Sequence, residues 1–384
     1  MTLPAAWYFD PEHHAAEMER IFRRTWQVVG RTTQVQQPGD YFTAEVAGEP
    51  LAVVRGEDGA VRAFHNVCRH RAGAVVRGEG CARSLRCTYH GWTYALDGAL
   101  RAAPELDGIR EFAPEDFGLI PVRCEAWEQY LFANLDATAA PLASTLGPLP
   151  RHTRDYHLAR LAFEMRNTYE IACNWKAYVD NYLEGYHIPR AHPRLHKLLD
   201  YKRYEVRPEG NTVVQLAPYR AAADAGPPTR AGRAAARATT GLYLWLYPNF
   251  MLNLSNDYVQ TNLVVPLGPE RTLTIFDYYF DTARGRASEE NVRRSRAWSD
   301  EIQGEDIRIC ETVQRNLHSR SYLAGRYSPR RENGLHHFHE LLRAEMRAGV
   351  GPRRGEARAG RRQRYLSRSR SAASTGRQTS SRAT

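Results

Sequence analysis

The chain has 384 residues, 42% hydrophobic and 25% charged, the make-up of an ordinary globular protein large enough for two modules. Its net charge of +10 resembles a nucleic-acid signature until it is located: residues 351–384 hold ten Arg against one Glu, so residues 1–350 are nearly neutral. No run of about 18 apolar residues exists to span a membrane, and the first residues lack a basic stretch leading into an apolar one. A cytoplasmic chain is therefore expected, its six cysteines free or ligating.

DPEHHAAEMERIFRRTW (10–26) predicts a helix, with Asp10 as N-cap, Pro11 in the first turn and Met18, Ile21, Phe22 and Trp26 as its apolar stripe. Residues 43–136 then read as a small all-β module, LAVVRGEDGAVRAF and YALDGAL alternating around the turns Asp58-Gly59 and Asp97-Gly98. After an Ala/Pro-rich connection, RLAFEMRNTYEI predicts a strand. CNWKAYVDNYLEGYHIPRAH follows as a helix that Pro189 ends near His187. Residues 220–238 form a low-complexity loop. LYLWLY, YVQTNLVV and RTLTIFDYYF return to strand patterning, and 288–317 predicts a long helix. The tail from about 350 has almost no aliphatic content and reads as disordered. A nucleic-acid contact and a shifted reading frame are the other readings of this tail.

Two constellations carry chemistry. Cys68-x-His70 and Cys87-x-x-His90 lie sixteen residues apart, two short loops that each offer one thiolate and one imidazole. That set suits a [2Fe–2S] cluster with Cys on one iron and His on the other. Zinc sites favour Cys-x₂₋₄-Cys or His-x₃₋₅-His pairs, which a Cys-x-His pair fits poorly. Cys81, between the loops, has no His partner and reads as a spare thiol.

On a continuous helix Asp180, Glu184 and His187 share a face, and the turn past Pro189 can return His192 toward His187. Two imidazoles beside a carboxylate make the open Fe(II) face used for O₂ chemistry. In the 288–317 helix, Ile302, Ile309, Val313 and Leu317 form the expected core-facing stripe. Asp306 falls on it, and an acid on a buried face must be paired, protonated or metal-bound. Glu305 lies off that stripe and is expected to be solvated.

With these residues in view, the chain resembles the Rieske non-haem iron oxygenases, specifically their catalytic α subunits, over roughly residues 5–345. WQVVGRTTQVQQPGDYFTAEV, AFHNVCRHRAG, CTYHGWTYALDG, CNWKAYVDNYLEGYHIPRAH, VVPLGP, EDIRICETVQRNL and AGRYSPRRENGLHHFHELL carry the resemblance. The nearest look is to the choline monooxygenase, betaine and carnitine oxygenase group. The resemblance implies an α+β fold in which a small all-β Rieske [2Fe–2S] domain (43–136) is inserted into a larger catalytic domain. That domain would comprise an N-terminal helical part (1–42) and residues 150–346, an antiparallel sheet flanked by helices, with the basic tail at 350–384. It further implies Cys68, His70, Cys87 and His90 as cluster ligands, and His187, His192 and Asp306 as ligands of a mononuclear Fe(2+). Glu184 becomes the acid bridging the two centres across a subunit boundary of a homotrimer. Asp180, which the resemblance leaves without a role, reads as a supporting residue behind the ligands. Thr88 stands where the family commonly has Pro.

Such a chain would take O₂ and, through a separate NAD(P)H-dependent reductase or ferredoxin, electrons; no GxGxxG fingerprint is present for a nicotinamide or flavin of its own. The expected reaction is hydroxylation or oxidative demethylation of a small substrate, foremost a quaternary ammonium compound. Tyr243, Trp245 and Tyr247 on one strand face, followed by Phe250 and Tyr258, offer a cation–π cage; core packing is the plainer reading. An aromatic ring or aryl ether is the rival substrate, and a Rieske electron carrier without catalysis the rival of another class.

Overall fold

The structure, a computed structural model, describes residues 1–220, 240–255, 258–282 and 288–347; the expectations for the loop beyond residue 220 and for the basic tail lie outside these residues. The first module holds ten strands: β1 (Gln27–Arg31), β2 (Asp40–Val46), β3 (Glu49–Arg55), β4 (Val61–His65), β5 (Glu79–Cys81), β6 (Leu85–Arg86), β7 (Thr93–Tyr94), β8 (Leu100–Ala102), β9 (Pro121–Trp127) and β10 (Tyr130–Asn134). Seven of them form one antiparallel sheet in the order β1-β10-β9-β4-β3-β2-β5, and β6-β7-β8 form a small second sheet. Both Asp-Gly turns are where the sequence places them, between β3 and β4 and between β7 and β8. At the second, Gly98 has φ +89°, and an added Cβ would stand 2.5 Å from the Phe64 ring, so only glycine fits. The sheet starts earlier than residue 43: β1 pairs with β10, Gln27 opposite Ala133. A short strand directly after a helix, buried at Gln27 and Gly30 but not in alternation, gives no period-2 signal.

Residues before β1 belong elsewhere. Asp10 caps α1 (Pro11–Glu17), accepting from the Glu12 N–H at 2.8 Å, and Met18–Phe22 continue as a wider π-type turn. Leu3, Tyr8, Ile21 and Phe22 bury their side chains in one cluster with Trp175, Trp245 and Phe338, so the β module is an insertion in the second module. Each such side chain contributes on the order of 1.5–3 kcal/mol of hydrophobic stabilisation.

The second module's elements, in chain order, begin with short helices α2 (Leu142–Leu146) and α3 (Leu149–Thr153). They continue through β11 (Ala162–Ile171), α4 (Trp175–Tyr182), α5 (Ile188–Ala191), α6 (Pro193–Leu198), β12 (Glu205–Glu209), β13 (Thr212–Pro218), β14 (Thr240–Leu246), β15 (Phe250–Leu254), β16 (Tyr258–Gly268) and β17 (Arg271–Phe280). Two helices close it, α7 (Glu289–Leu317) and α8 (Asn333–Arg347). The strands form one antiparallel sheet, β11-β17-β16-β15-β14-β13-β12. One face (Leu244, Leu246, Leu252, Leu254) packs with Trp127, Tyr130 and Phe132 of the first module. The other (Val213, Trp245, Met251, Val264) packs with residues of α4, α7 and α8. None of the described helices is long and apolar enough to cross a membrane.

The expected stripe on α7 is not the buried face. Ser295, Ser299, Gln303, Cys310, Gln314 and Leu317 are buried, while Val313 is 44% exposed. Three of the polar side chains on this face find partners: Gln303 accepts from the Tyr178 hydroxyl at 2.7 Å, Gln314 from the Asn174 N–H at 2.9 Å, and Ser299 from the Gln260 amide at 2.8 Å. Asp306, between Gln303 and Cys310, is on this inward face.

Candidate functional site

α4 is capped by Asn174, whose side chain accepts from the Lys176 N–H at 3.0 Å, and it ends at Tyr182. The helix therefore stops short of Glu184, and Asp180, Glu184 and His187 do not share one helical face as expected. At Gly185 an added Cβ would lie 2.6 Å from the Tyr204 ring, so the chain passes Tyr204 at a distance that only glycine allows. Pro189 does not end a helix either. It sits in the first turn of α5, whose N-cap is His187, where proline's missing N–H costs nothing.

The break gives Glu184 its task. Its Oε1 stands 2.5 Å from His187 Nδ1, and its Oε2 accepts from the backbone N–H groups of His187, at 3.1 Å, and Tyr186. With Nδ1 engaged, His187 turns Nε2 toward Asp306 Oδ1, 3.8 Å away. His192, between α5 and α6 and 1% exposed, has its Nε2 at 3.0 Å from the same oxygen. One ligand atom from each of His187, His192 and Asp306 lies within 4.8 Å of the others, a spacing that can hold one metal ion. Asn181 donates to Asp306 Oδ1 at 2.6 Å.

Glu305 corrects the sequence reading. Its Oε2 is 2.6 Å from His192 Nδ1, so it backs that ring as Glu184 backs the other. Helix periodicity assigned it to solvent because Glu305 lies off both the apolar stripe and the buried face of α7; its partner, His192, comes from a segment 113 positions away. Asp180 accepts from the Tyr8 hydroxyl at 2.5 Å and from His339 Nε2 at 2.9 Å, joining α4 to α8 and the N-terminal segment.

Beside the triad opens a cavity of about 160 Å³. Tyr243 and Tyr258 line it together with Tyr182, Tyr204, Tyr219 and Trp298. The expected cage is otherwise displaced. Trp245 and Tyr247 are buried in the core with Phe338, and Phe250 packs against Tyr130 and Phe132. The rest of the aromatic wall, Tyr182, Tyr204, Tyr219 and Trp298, comes from four separate segments that converge only in the fold. Burial pushes the Tyr243 hydroxyl up to about 12 and those of Tyr182 and Tyr204 well above their ordinary value, so the wall stays neutral.

In the first module Cys68 and His70 follow β4, and Cys87 and His90 stand between β6 and β7. The two loops repeat one backbone turn, Ala72 N–H bonding Cys68 O and Gly91 N–H bonding Cys87 O, each at 3.0 Å. Both cysteines are buried, at 3% and 2% exposure, and both histidines are exposed, with their Nδ1 atoms 3.1 Å apart. The His70 ring stacks on Trp92 with centroids 5.1 Å apart. Thiols inside and imidazoles outside make two tiers, which fit two irons with unlike ligands better than one zinc. Tyr94, unremarked in the sequence, stands with its hydroxyl 3.2 Å from Cys68 Sγ while accepting the Arg69 N–H at 2.9 Å. Cys81 is exposed, apart from the buried thiol pair.

The chain matches two family models: the ring hydroxylating alpha subunit (catalytic domain) over residues 158–348 and the Rieske [2Fe-2S] domain over residues 25–113. A choline monooxygenase of chloroplasts from Arabidopsis thaliana is 35% identical over 89% of this chain and 82% of its own. The carnitine monooxygenase oxygenase subunit of Escherichia coli (strain K12) is 33% identical over 89% of this chain and 92% of its own. A quaternary ammonium Rieske monooxygenase of gut microbiota, described for carnitine oxidation and inter-subunit electron transfer, superposes with a TM-score of 0.80. It is 27% identical and covers 90% of this chain and 95% of its own.

Proposed function

This chain belongs to the Rieske-type ring-hydroxylating oxygenase α subunits, and from that premise we propose that it oxidises a small quaternary ammonium compound, using O₂ and electrons from a separate NAD(P)H-dependent reductase. The observation that carries the proposal is the His187/His192/Asp306 triad opening into a small cavity walled by tyrosines. Aromatic faces attract a desolvated quaternary cation. The carboxylates of Asp306 and Glu184 on the same wall add negative potential.

Cys68, His70, Cys87 and His90 would hold the [2Fe–2S] cluster, and His187, His192 and Asp306 the mononuclear iron. When bound, the two centres would supply one-electron relay and O₂ activation. The protein's own groups do the positioning. Glu184 and Glu305 each take a ring Nδ1–H, which leaves both Nε2 lone pairs aimed at the shared point. Asn181 fixes the Asp306 carboxylate by donating to Oδ1. The tyrosine wall excludes water and holds the cation beside the triad. Asp180 keeps α4, and with it Asn181, in place through Tyr8 and His339.

A homotrimer is part of this reading, with Glu184 linking His187 to His90 of the next subunit. Exposed His70 and His90 at one tip, with Tyr89 and Tyr186 each 56% exposed beside the two sites, support it. A cavity of this size also disfavours polycyclic aromatic substrates, which need the larger pockets of drug-sized ligands, about 300 Å³ upward.

The test is coupled turnover: NAD(P)H oxidation with a generic reductase over choline, betaines, carnitine and aromatic acids, with product analysis. A quaternary ammonium compound is expected to give oxidised product in step with NAD(P)H. Coupled turnover of an aromatic acid alone would overturn the substrate reading. Zinc without acid-labile sulfide would overturn the metal assignment.

A further inference from the structure

We infer that Tyr178 is a site of self-modification: when the cavity holds no substrate, the O₂ chemistry of this site hydroxylates the Tyr178 ring beside its hydroxyl and turns it into a catechol. The inference rests on the assignment of His187, His192 and Asp306 to the iron, and it is independent of which substrate the enzyme takes.

Tyr178 supports no metal ligand, yet it lines the cavity together with all three of them. Two parallel rungs between α4 and α7 fix its distance from them. Asn181 donates to Asp306 Oδ1 at 2.6 Å, and the Tyr178 hydroxyl donates to Gln303 Oε1 at 2.7 Å. Residues 178 and 181 are three apart on α4, as 303 and 306 are on α7, so each pair shares a face. The rungs therefore lie one turn from each other, about 5 Å along the axis. The phenol end of Tyr178 is about one turn away from the carboxylate oxygen on which the Nε2 atoms of His187 and His192 converge.

The ring is held in that place. It is 4% exposed, and Gln303 donates its amide N–H to Thr274 Oγ1 at 3.2 Å, which keeps the amide oxygen turned to the tyrosine. Two other tyrosines of the wall are anchored on the sheet side instead. Tyr182 sets its hydroxyl on Asn253 of β15 at 2.7 Å, and Tyr204 on Gln215 of β13 at 2.9 Å. Of the three, only Tyr178 is bonded to the helix that carries Asp306.

A bound substrate stands between the metal point and this wall and takes the oxygen. In an empty cavity the nearest oxidisable bonds are those of the wall, and a phenol ring is electron-rich at the carbons beside its hydroxyl. The step balances as a monooxygenation. One atom of O₂ enters a ring C–H bond to give C–OH, and the other leaves as water. Two electrons come from the reductase and two protons from solvent.

The experiment gives the wild-type enzyme, loaded with both metals, isotope-labelled O₂, NAD(P)H and a reductase, and maps the label by peptide fragmentation. Without substrate, one labelled oxygen is expected on Tyr178 and none on Tyr182, Tyr186 or His187, which share its tryptic peptide, residues 177–190. Choline, glycine betaine or L-carnitine, whichever gives coupled product, is then added at about ten times its Kd. About one site in eleven stays empty, so the label should fall about ten-fold. The denatured wild-type chain should stain for quinone by redox cycling after substrate-free turnover, and Tyr178→Leu should not. O₂ uptake without label, label on another wall residue or on a ligand histidine, or label unchanged by substrate would overturn the inference and leave the metal reading intact. Iron confined to the cluster would instead remove the metal reading.

Discussion

His192 and Glu305 meet at 2.6 Å through Nδ1 and Oε2, so the ring is held from behind by the residue that immediately precedes Asp306 on α7. One turn of helix thus supplies both Asp306, whose Oδ1 lies near the Nε2 atoms of both rings, and Glu305, which backs one of those rings. Glu184 does the same for His187 from a turn.

Removing the support should loosen the metal. Glu305→Ala is expected to lower affinity for the mononuclear iron by about 10–100-fold. In limiting iron the content should fall from about three towards about two per chain with the cluster's visible spectrum unchanged. Glu305→Gln, which keeps an acceptor for Nδ1–H, should lose less. Full iron occupancy in the Ala variant would reject the role.

Glu184 has a second duty if it couples the two centres. With iron supplied in excess, Glu184→Ala should retain both metals and lose about 10–100-fold in coupled turnover. Rapid-mixing absorbance would then show a pre-reduced cluster reoxidising slowly in the presence of substrate and O₂. Wild-type rates would refute the relay.

The aromatic wall can be separated from the core by two variants. Tyr243→Leu should weaken a quaternary cation by up to about 2 kcal/mol, roughly thirty-fold in Kd, with little effect on an uncharged isostere. Because burial holds the Tyr243 hydroxyl up at about 12, its neutral form persists across the working range, and Tyr243→Phe should leave the pH dependence of binding flat. Trp245→Leu should lower Tm instead, since its ring is wholly buried away from the cavity.

A buried ion pair under α4 sets stability. Lys176 Nζ and Glu17 Oε1 stand 2.6 Å apart, both with fully buried side chains, and Trp175 donates to the other Glu17 oxygen at 2.9 Å. Burial pushes the Glu17 carboxyl up, but Lys176 and the hydrogen bonds of His13 and Trp175 outweigh it and hold the group below its ordinary value. A depressed carboxylate contributes stability above its unfolded value and loses it as pH falls, so urea unfolding should ease toward acid. Lys176→Met, which strands Glu17, should cost about 3–5 kcal/mol; Glu17→Gln with Lys176→Met should recover most of it. Additive losses in the double variant would contradict the pairing.

The candidate ligands could be picked from the sequence because cysteine and histidine at fixed short spacings have few purely structural uses, and because Asp306 broke an expected apolar stripe. The stripe itself was misread: α7 buries Ser299, Gln303 and Gln314, polar residues whose partners lie on other segments and cannot be seen in a helical repeat. Glu305 was hidden for another reason: it lies off that face, and the ring it holds, His192, is 113 positions away in sequence. The break after Tyr182 was missed because its cause, the ring of Tyr204 beside Gly185, is a contact across nineteen positions of sequence. The cavity wall was legible at Tyr243 and Tyr258; at Trp245 and Tyr247 the alternation was right and the depth along the sheet was not.

The N-terminal segment reaches its place late. Ala5 bonds the Leu323 carbonyl at 2.8 Å, Thr2 bonds that of Gly325, and Tyr8 meets Asp180 and His339. On the ribosome the inserted β module has all its strands once residue 134 has emerged, whereas the opening segment must wait for α8, more than three hundred residues downstream, to shut its latch. Cluster assembly can therefore precede completion of the iron triad's surroundings, and a protease cut between residues 318 and 332 should release the latch while sparing the Cys/His loops.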